Sequence, residues 1–296
     1  MDLEKKMKLR SSVRSAYDLQ KTRMSLGLRI VNNMKVKLGQ KPGTREEDIP
    51  DKEKQKIIKT VRASYERITD GVVVNLGSYR KLIKKDAYDE VISDYGELTM
   101  ADLYVTLLSR EEEQFKMLIP LIREFPIWTE YLVDVKGIGP ALAGVLISEI
   151  DITKARYVSS IWKYAGLDVA QDGRGRSRQK AHLIDIDYID SDQNPVTKKG
   201  ITYNPFLKTK MIGVLPGSFL KAKSPYANVY YNYKTRILSR ELSKLHTHNM
   251  AMRYMVKRFL ADLYVAWRTL EGLPVEPDYH EGKLGHKHGG PDDTPN

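Results

Sequence analysis

A stripe near the C-terminal end of the chain constrains the fold most. Met252, Met255, Val256, Phe259, Leu260, Leu263, Tyr264 and Trp267 recur at i, i+3, i+4 and i+7, so they share one face of a long helix. The pattern is one of core packing rather than of a cofactor box. Arg253, Lys257, Arg258 and Arg268 occupy the other faces. The 296 residues, 41% hydrophobic and 29% charged, suffice for one large or two modest domains with a buried core, which excludes disorder along the whole length.

The N-terminal part, residues 1–126, also reads as almost entirely helical. Apolar residues repeat at helical spacing through Val13, Tyr17, Leu19 and Met24, and again through Ile57, Ile58, Val61, Tyr65 and Ile68. Gly39-Gln40-Lys41-Pro42-Gly43-Thr44 breaks the two helices apart. Thr99-Met100-Ala101-Asp102 predicts a capped start for a helix reaching about Arg123, and Pro126 then turns the chain. Glu111-Glu112-Glu113 is expected on a solvated face, and nothing in this half has catalytic spacing.

Residues 127–273 differ in character. Leu132-Val133-Asp134-Val135-Lys136-Gly137-Ile138-Gly139-Pro140 leads into the apolar run from Ala141 to Ile150. This predicts a helix end, a tight two-glycine turn and a second helix with Pro140 at its first position, the pattern of a helix-hairpin-helix. The amides of Gly137 and Gly139 would lie at a helix N-terminus, where phosphate oxygens are favoured, with Lys136 beside them. An ordinary helix–helix turn is the alternative.

Charge singles out the same region. From Thr153 to Leu270 there are 21 Lys and Arg against 8 Asp and Glu, so this stretch supplies the whole excess of a chain whose formal net charge is +11. Such a block suits a polyanion, most often nucleic acid, although a solvated basic face has the same composition. Its densest part is Arg174-Gly175-Arg176-Ser177-Arg178-Gln179-Lys180, four cations in seven residues. Lys208 and Lys210 would extend a phosphate-contacting track.

The stretch from His182 to Tyr203 alternates apolar and polar residues around Ser191-Asp192-Gln193-Asn194-Pro195, predicting a β-hairpin. Asp185 and Asp187 would share one strand face; with no third ligand, solvent exposure is expected rather than a metal site. Asn204-Pro205 and Ser224-Pro225 each open a helix. Tyr226, Tyr230, Tyr231 and Tyr233, interleaved with Lys223, Lys234 and Arg236, either stack on bases or pack against neighbouring helices. The tail 274–296, with His280, His286 and His288, has the composition of a disordered segment.

The absence of cysteine excludes a disulfide scaffold, a thiol nucleophile, thiolate zinc and iron–sulfur centres. There is no apolar leader after Met1-Asp2-Leu3-Glu4-Lys5-Lys6, and no window approaches the roughly 18 continuous apolar residues of a membrane span. A cytoplasmic, DNA-associated protein without a membrane partner is expected.

The stretch from about Leu132 to Leu273 resembles the C-terminal domain of the IS-one-ten group of insertion-sequence transposases, which includes the Piv-type DNA invertases. The elements follow the family's order: the hairpin Val135–Pro140; Ile161-Trp162-Lys163-Tyr164-Ala165-Gly166-Leu167-Asp168; the basic Gly/Arg loop; Asn204-Pro205-Phe206-Leu207-Lys208; and the helix through Lys257-Arg258-Phe259-Leu260-Ala261-Asp262-Leu263-Tyr264. The resemblance implies DNA binding, and in active members DNA transposition or recombination through a serine that attacks a phosphodiester. It also implies an N-terminal domain whose acidic residues hold divalent metal, yet residues 1–126 offer no opening strand with such an Asp. The family's serine precedes a glycine after Ala-Gly-Leu. Here that place reads Gln171-Asp172-Gly173, with Ser177 five residues beyond Asp172. A carboxylate at that place would hinder attack on phosphate.

These observations predict a mainly α protein: a helical N-terminal region, then a helix-hairpin-helix domain with a small β-hairpin. The leading expectation is a DNA-binding protein that grips the phosphate backbone through Lys136, Gly137, Gly139, Arg174, Arg176, Arg178, Lys180, Lys208 and Lys210. One alternative is an active transposase or recombinase with Ser177 as nucleophile, the only case in which a divalent metal would be expected; otherwise no cofactor or metal site is. The other is a structural helical adaptor. Structured RNA and a second copy of the chain are further candidate partners.

Overall fold

A computed structural model describes residues 2–67, 95–238, 240 and 242–277. Ile68 and the histidine-bearing tail from residue 278 lie outside the described residues. The protein is mainly α-helical with one small antiparallel β-hairpin. It divides into two compact units, Ser11–Met117 and Met1–Arg10 with Leu118–Asn296.

The first unit holds most of α1 (Leu3–Lys37), α2 (Lys52–Arg67) and most of α3 (Tyr95–Ile122). Val31, Ile49 and Ile58 form a buried cluster, with Leu38 against it. Tyr17 and Phe115 meet edge to face at 5.3 Å. Arg23 donates to buried Glu111 through Nε at 2.5 Å and to the Tyr104 hydroxyl. Glu111 is therefore an internal ion-pair partner and not a solvated acid. Thr99 lies inside α3, which is already helical at Tyr95, so the expected capped start at Thr99 is corrected. The helix runs through this segment because Ala101 and Tyr104 are buried there, so packing rather than a cap holds these turns.

The second unit contains α4 (Pro126–Thr129), α5 (Pro140–Glu149), α6 (Val158–Tyr164), β1 (Ile184–Ile189), β2 (Pro195–Gly200), α7 (Pro205–Gly213), α8 (Leu215–Lys221), α9 (Pro225–Arg236) and α10 (Lys244–Leu270). The apolar stripe of α10 is buried from Met255 to Trp267, while Met252 at its start is half-buried. Phe259 meets Phe219 of α8 at 5.2 Å and Tyr226 of α9 at 5.5 Å, so three helices join in one aromatic cluster. Arg268 is buried and donates to the carbonyls of Ile152 and Ala155 at 3.0 and 2.8 Å. Its charge is thus satisfied by backbone, which a buried guanidinium requires.

α5 is apolar on every side, and its residues from Leu142 to Glu149 are all buried. Glu149 at its end accepts a hydrogen bond from Asn204 Nδ2 at 2.6 Å and lies 3.4 Å from Arg10. Asn204 also caps α7, its Oδ1 accepting from the amides of Phe206 and Leu207, with Pro205 at the first helical position. The hairpin pairs Ile184 with Gly200 through to Ile189 with Pro195. Asp185 is exposed and bonds Lys199, and exposed Asp187 bonds Thr197, each at 2.7 Å. The tyrosines divide: Tyr226 and Tyr230 are buried and Tyr233 stacks on Tyr254 at 4.3 Å, leaving Tyr231 57% exposed.

Candidate nucleic-acid interface

The two-glycine turn is a docked structure. Gly137 has φ +96°, a conformation closed to most side chains, and its carbonyl accepts from Ser218 Oγ at 2.6 Å. A Cβ there would stand 2.9 Å from Phe219 Cδ1 and 3.2 Å from the Ser218 carbonyl oxygen. Gly137 is therefore glycine because the turn presses on α8. The chain before it forms a single 3₁₀ turn, Leu132–Asp134, rather than a long first helix. Gly139, in open space, is the N-cap of α5, and no side chain caps that helix. That helix starts four residues after exposed Lys136, with Pro140 at its first position.

The Gly/Arg loop is built around Asp168. Arg176 Nε reaches the Asp168 carboxylate at 2.5 Å, and the Arg176 amide donates to the Asp168 carbonyl at 3.1 Å. Arg253 reaches in from α10 to the carbonyls of Gly166 and Asp168 at 3.1 and 3.2 Å. Its guanidinium lies where a side chain on Gly175 would have to go. Lys208 donates to the Arg176 carbonyl and lies 4.1 Å from the centre of the Tyr203 ring. Burial and neighbouring Arg253 hold the Lys208 ammonium below its usual range, against the pull of Asp168. Between these anchors Val169 bridges to Gly175, the Ala170 carbonyl accepts from the Gly173 amide at 3.0 Å, and the Ala170 amide donates to the Arg174 carbonyl at 2.8 Å.

Beyond that hairpin lies a feature that sequence reasoning missed. His182 is 3% exposed. Its Nδ1 lies 2.9 Å from Ser177 Oγ and accepts the Ser177 amide at 3.0 Å, while its Nε2 lies 3.0 Å from Asp172 Oδ2. The amide donor fixes the tautomer: Nδ1 is the bare acceptor, and Nε2 carries the proton donated to Asp172. Asp172 also accepts the Arg174 amide at 2.9 Å, and that bond, with the one from His182, holds its carboxyl below the usual range. The available signal was a serine, a histidine and an aspartate within eleven residues. The alternation of the strand that follows had instead placed His182 at a strand edge.

The nine expected contact residues therefore divide. Lys136, Arg174, Arg178 and Lys180 are exposed, and among the described residues none is in an ion pair. Gly139 stands in open space at the start of α5, which no side chain caps, while Gly137 is occupied in packing. Arg176 and Lys208 are internal struts of the loop. Lys210 is 9% exposed, lies against the Phe206 ring, and is pushed down by burial to about 8. Ser177 is half-buried. Among the described residues no group of three His, Asp or Glu could hold a metal ion, and no helix is long and apolar enough to cross a membrane. No family model matches the chain, and neither a curated protein nor a solved structure is found to be similar to it.

Proposed function

We propose that this protein binds DNA along its phosphate backbone, as a relative of the transposase C-terminal domain that its sequence resembles. The observation that carries this reading is an internally braced loop whose outer cations are exposed and, among the described residues, in no ion pair. Arg176, Lys208 and Arg253 spend their charge inside the loop, and Arg174, Arg178 and Lys180 are left exposed upon it. Preorganised cations lose little freedom when they meet phosphates. Contacts of this kind give binding that is strongly salt-dependent and largely indifferent to sequence.

The test is titration of the full chain with labelled duplex DNA and with RNA of equal length across a salt series. Affinity for duplex that falls steeply with salt, and drops when Arg174, Arg178 and Lys180 are changed together to Gln, is the expected result. Binding that ignores salt or survives the triple change overturns the reading, and preference for RNA reassigns the partner. The transposase alternative, with Ser177 as nucleophile, is favoured by the 2.9 Å separation of Ser177 Oγ and His182 Nδ1. It predicts a covalent protein–DNA band on a denaturing gel that is absent from Ser177→Ala.

A further inference from the structure

The geometry points to Asp172, His182 and Ser177 as a nucleophile relay in which His182 is the general base for the Ser177 hydroxyl and Asp172 is its positioning residue, acting on phosphate esters. The inference deepens the Ser177 alternative above and rests on it for the natural substrate. Three observations place each group in its role. The Ser177 oxygen lies 2.9 Å from an unprotonated ring nitrogen, whose lone pair it shares with the Ser177 amide. The opposite ring nitrogen donates to Asp172, which fixes the ring's orientation and favours the imidazolium once it forms. The ring itself is 3% exposed, so it has no competing rotamer in solvent.

The surroundings select the substrate. Arg174 and Arg178 stand within three residues of Ser177 in the sequence, and Lys180 follows, all three exposed, so an anionic ester is attracted more strongly than a neutral one. Arg176 sits between them with its guanidinium on Asp168 and on the His182 carbonyl at 3.0 Å, which ties the base to the loop's internal anchor. In the step itself, Ser177 Oγ forms a bond to phosphorus as the P–O bond to the leaving oxygen breaks. The hydroxyl proton passes to His182 Nδ1 and then to the departing oxygen. Proton transfer to Nδ1 also removes the acceptor of the Ser177 amide, freeing that N–H as charge grows on the phosphoryl oxygens. Asp172, which takes the place of the family's serine, thus serves a serine five residues on.

A fluorophosphonate probe tests the relay without any DNA recognition. Ser177 Oγ would form the bond to phosphorus, fluoride would leave, and the proton would go to His182. With the full-length protein, mass spectrometry should find the label on Ser177. His182→Ala should slow labelling by about 100-fold or more, with partial recovery in added imidazole. Asp172→Asn, which keeps the shape and loses the charge, should slow labelling more than Asp172→Glu, an order that a purely structural role would not produce. Circular dichroism confirms that each variant is folded. Labelling of Ser177 in the folded wild type that is absent, or no faster than in His182→Ala, overturns the relay. Rapid labelling without DNA affinity leaves the relay standing and sinks the DNA-binding reading.

Discussion

Ser218 donates its hydroxyl to the Gly137 carbonyl at 2.6 Å, so the turn expected to meet phosphate is clamped from behind by α8. The two glycines of the turn therefore do different work: Gly137 allows the close approach, and Gly139 leaves the helix start open.

Gly137→Ala should accordingly act on stability. The methyl would be forced against Phe219 and the Ser218 carbonyl while the backbone stays at φ +96°. The left-handed conformation alone costs a non-glycine residue roughly 1–2 kcal/mol, and the clash adds to it. Denaturant unfolding should show a loss of about 2–3 kcal/mol. Lys136→Gln, one residue away and exposed, should leave the unfolding midpoint unchanged and weaken DNA binding.

Much of this arrangement was legible in the sequence, for a physical reason. The α10 stripe, the Asn204-Pro205 and Ser224-Pro225 starts and the β-hairpin are local patterns, fixed by periodicity and capping chemistry. What escaped depends on contacts between distant residues. Arg174, Arg176 and Arg178 are equivalent cations in sequence, and only the fold, by setting Asp168 against Arg176, makes one of them a strut. Tyr226 was undecided between base stacking and core for the same reason, until Phe219 stacked on it at 5.0 Å. Asp172 read as an obstacle because its partner His182 lies ten residues away.

Asn204 links two functions that separate variants can divide. Its Oδ1 caps α7, and its Nδ2 donates to Glu149, whose side chain is fully buried. Asn204→Ala should lose both, about 1 kcal/mol for the cap and about 1 kcal/mol more for the buried carboxylate that loses one of its partners. Asn204→Asp keeps a capping oxygen but sets a second carboxylate against Glu149. Its deficit should shrink as pH falls through the carboxylate range, a recovery that Asn204→Ala lacks in thermal unfolding across pH.

Lys210 gives a pH dependence of known sign. Burial lowers its ammonium from 10.5 to about 8 in the fold, so between those values the unfolded chain binds more protons than the folded one. Stability should therefore rise with pH across that window through this residue, and its cost should be fully present below about 8. Lys210→Met removes the charge and keeps the packing. It should flatten the slope between pH 8 and 10 in denaturant titrations.

The division of the loop cations predicts two different phenotypes from one substitution type. Arg174→Gln, Arg178→Gln and Lys180→Gln each remove an exposed charge, so each should reduce the slope of log affinity against log salt by about 0.9 and leave thermal stability alone. Arg176→Gln should do the reverse. It strands the Asp168 carboxylate, whose Oδ1 is already buried without a hydrogen-bond partner, beside the Gly166–Asp168 carbonyls held by Arg253. The melting temperature should fall, and DNA affinity should fall at every salt concentration because the loop no longer holds its cations in place. If Arg176→Gln instead changes only the salt slope, with stability intact, then Arg176 meets phosphate directly and its bond to Asp168 is not what orders the loop.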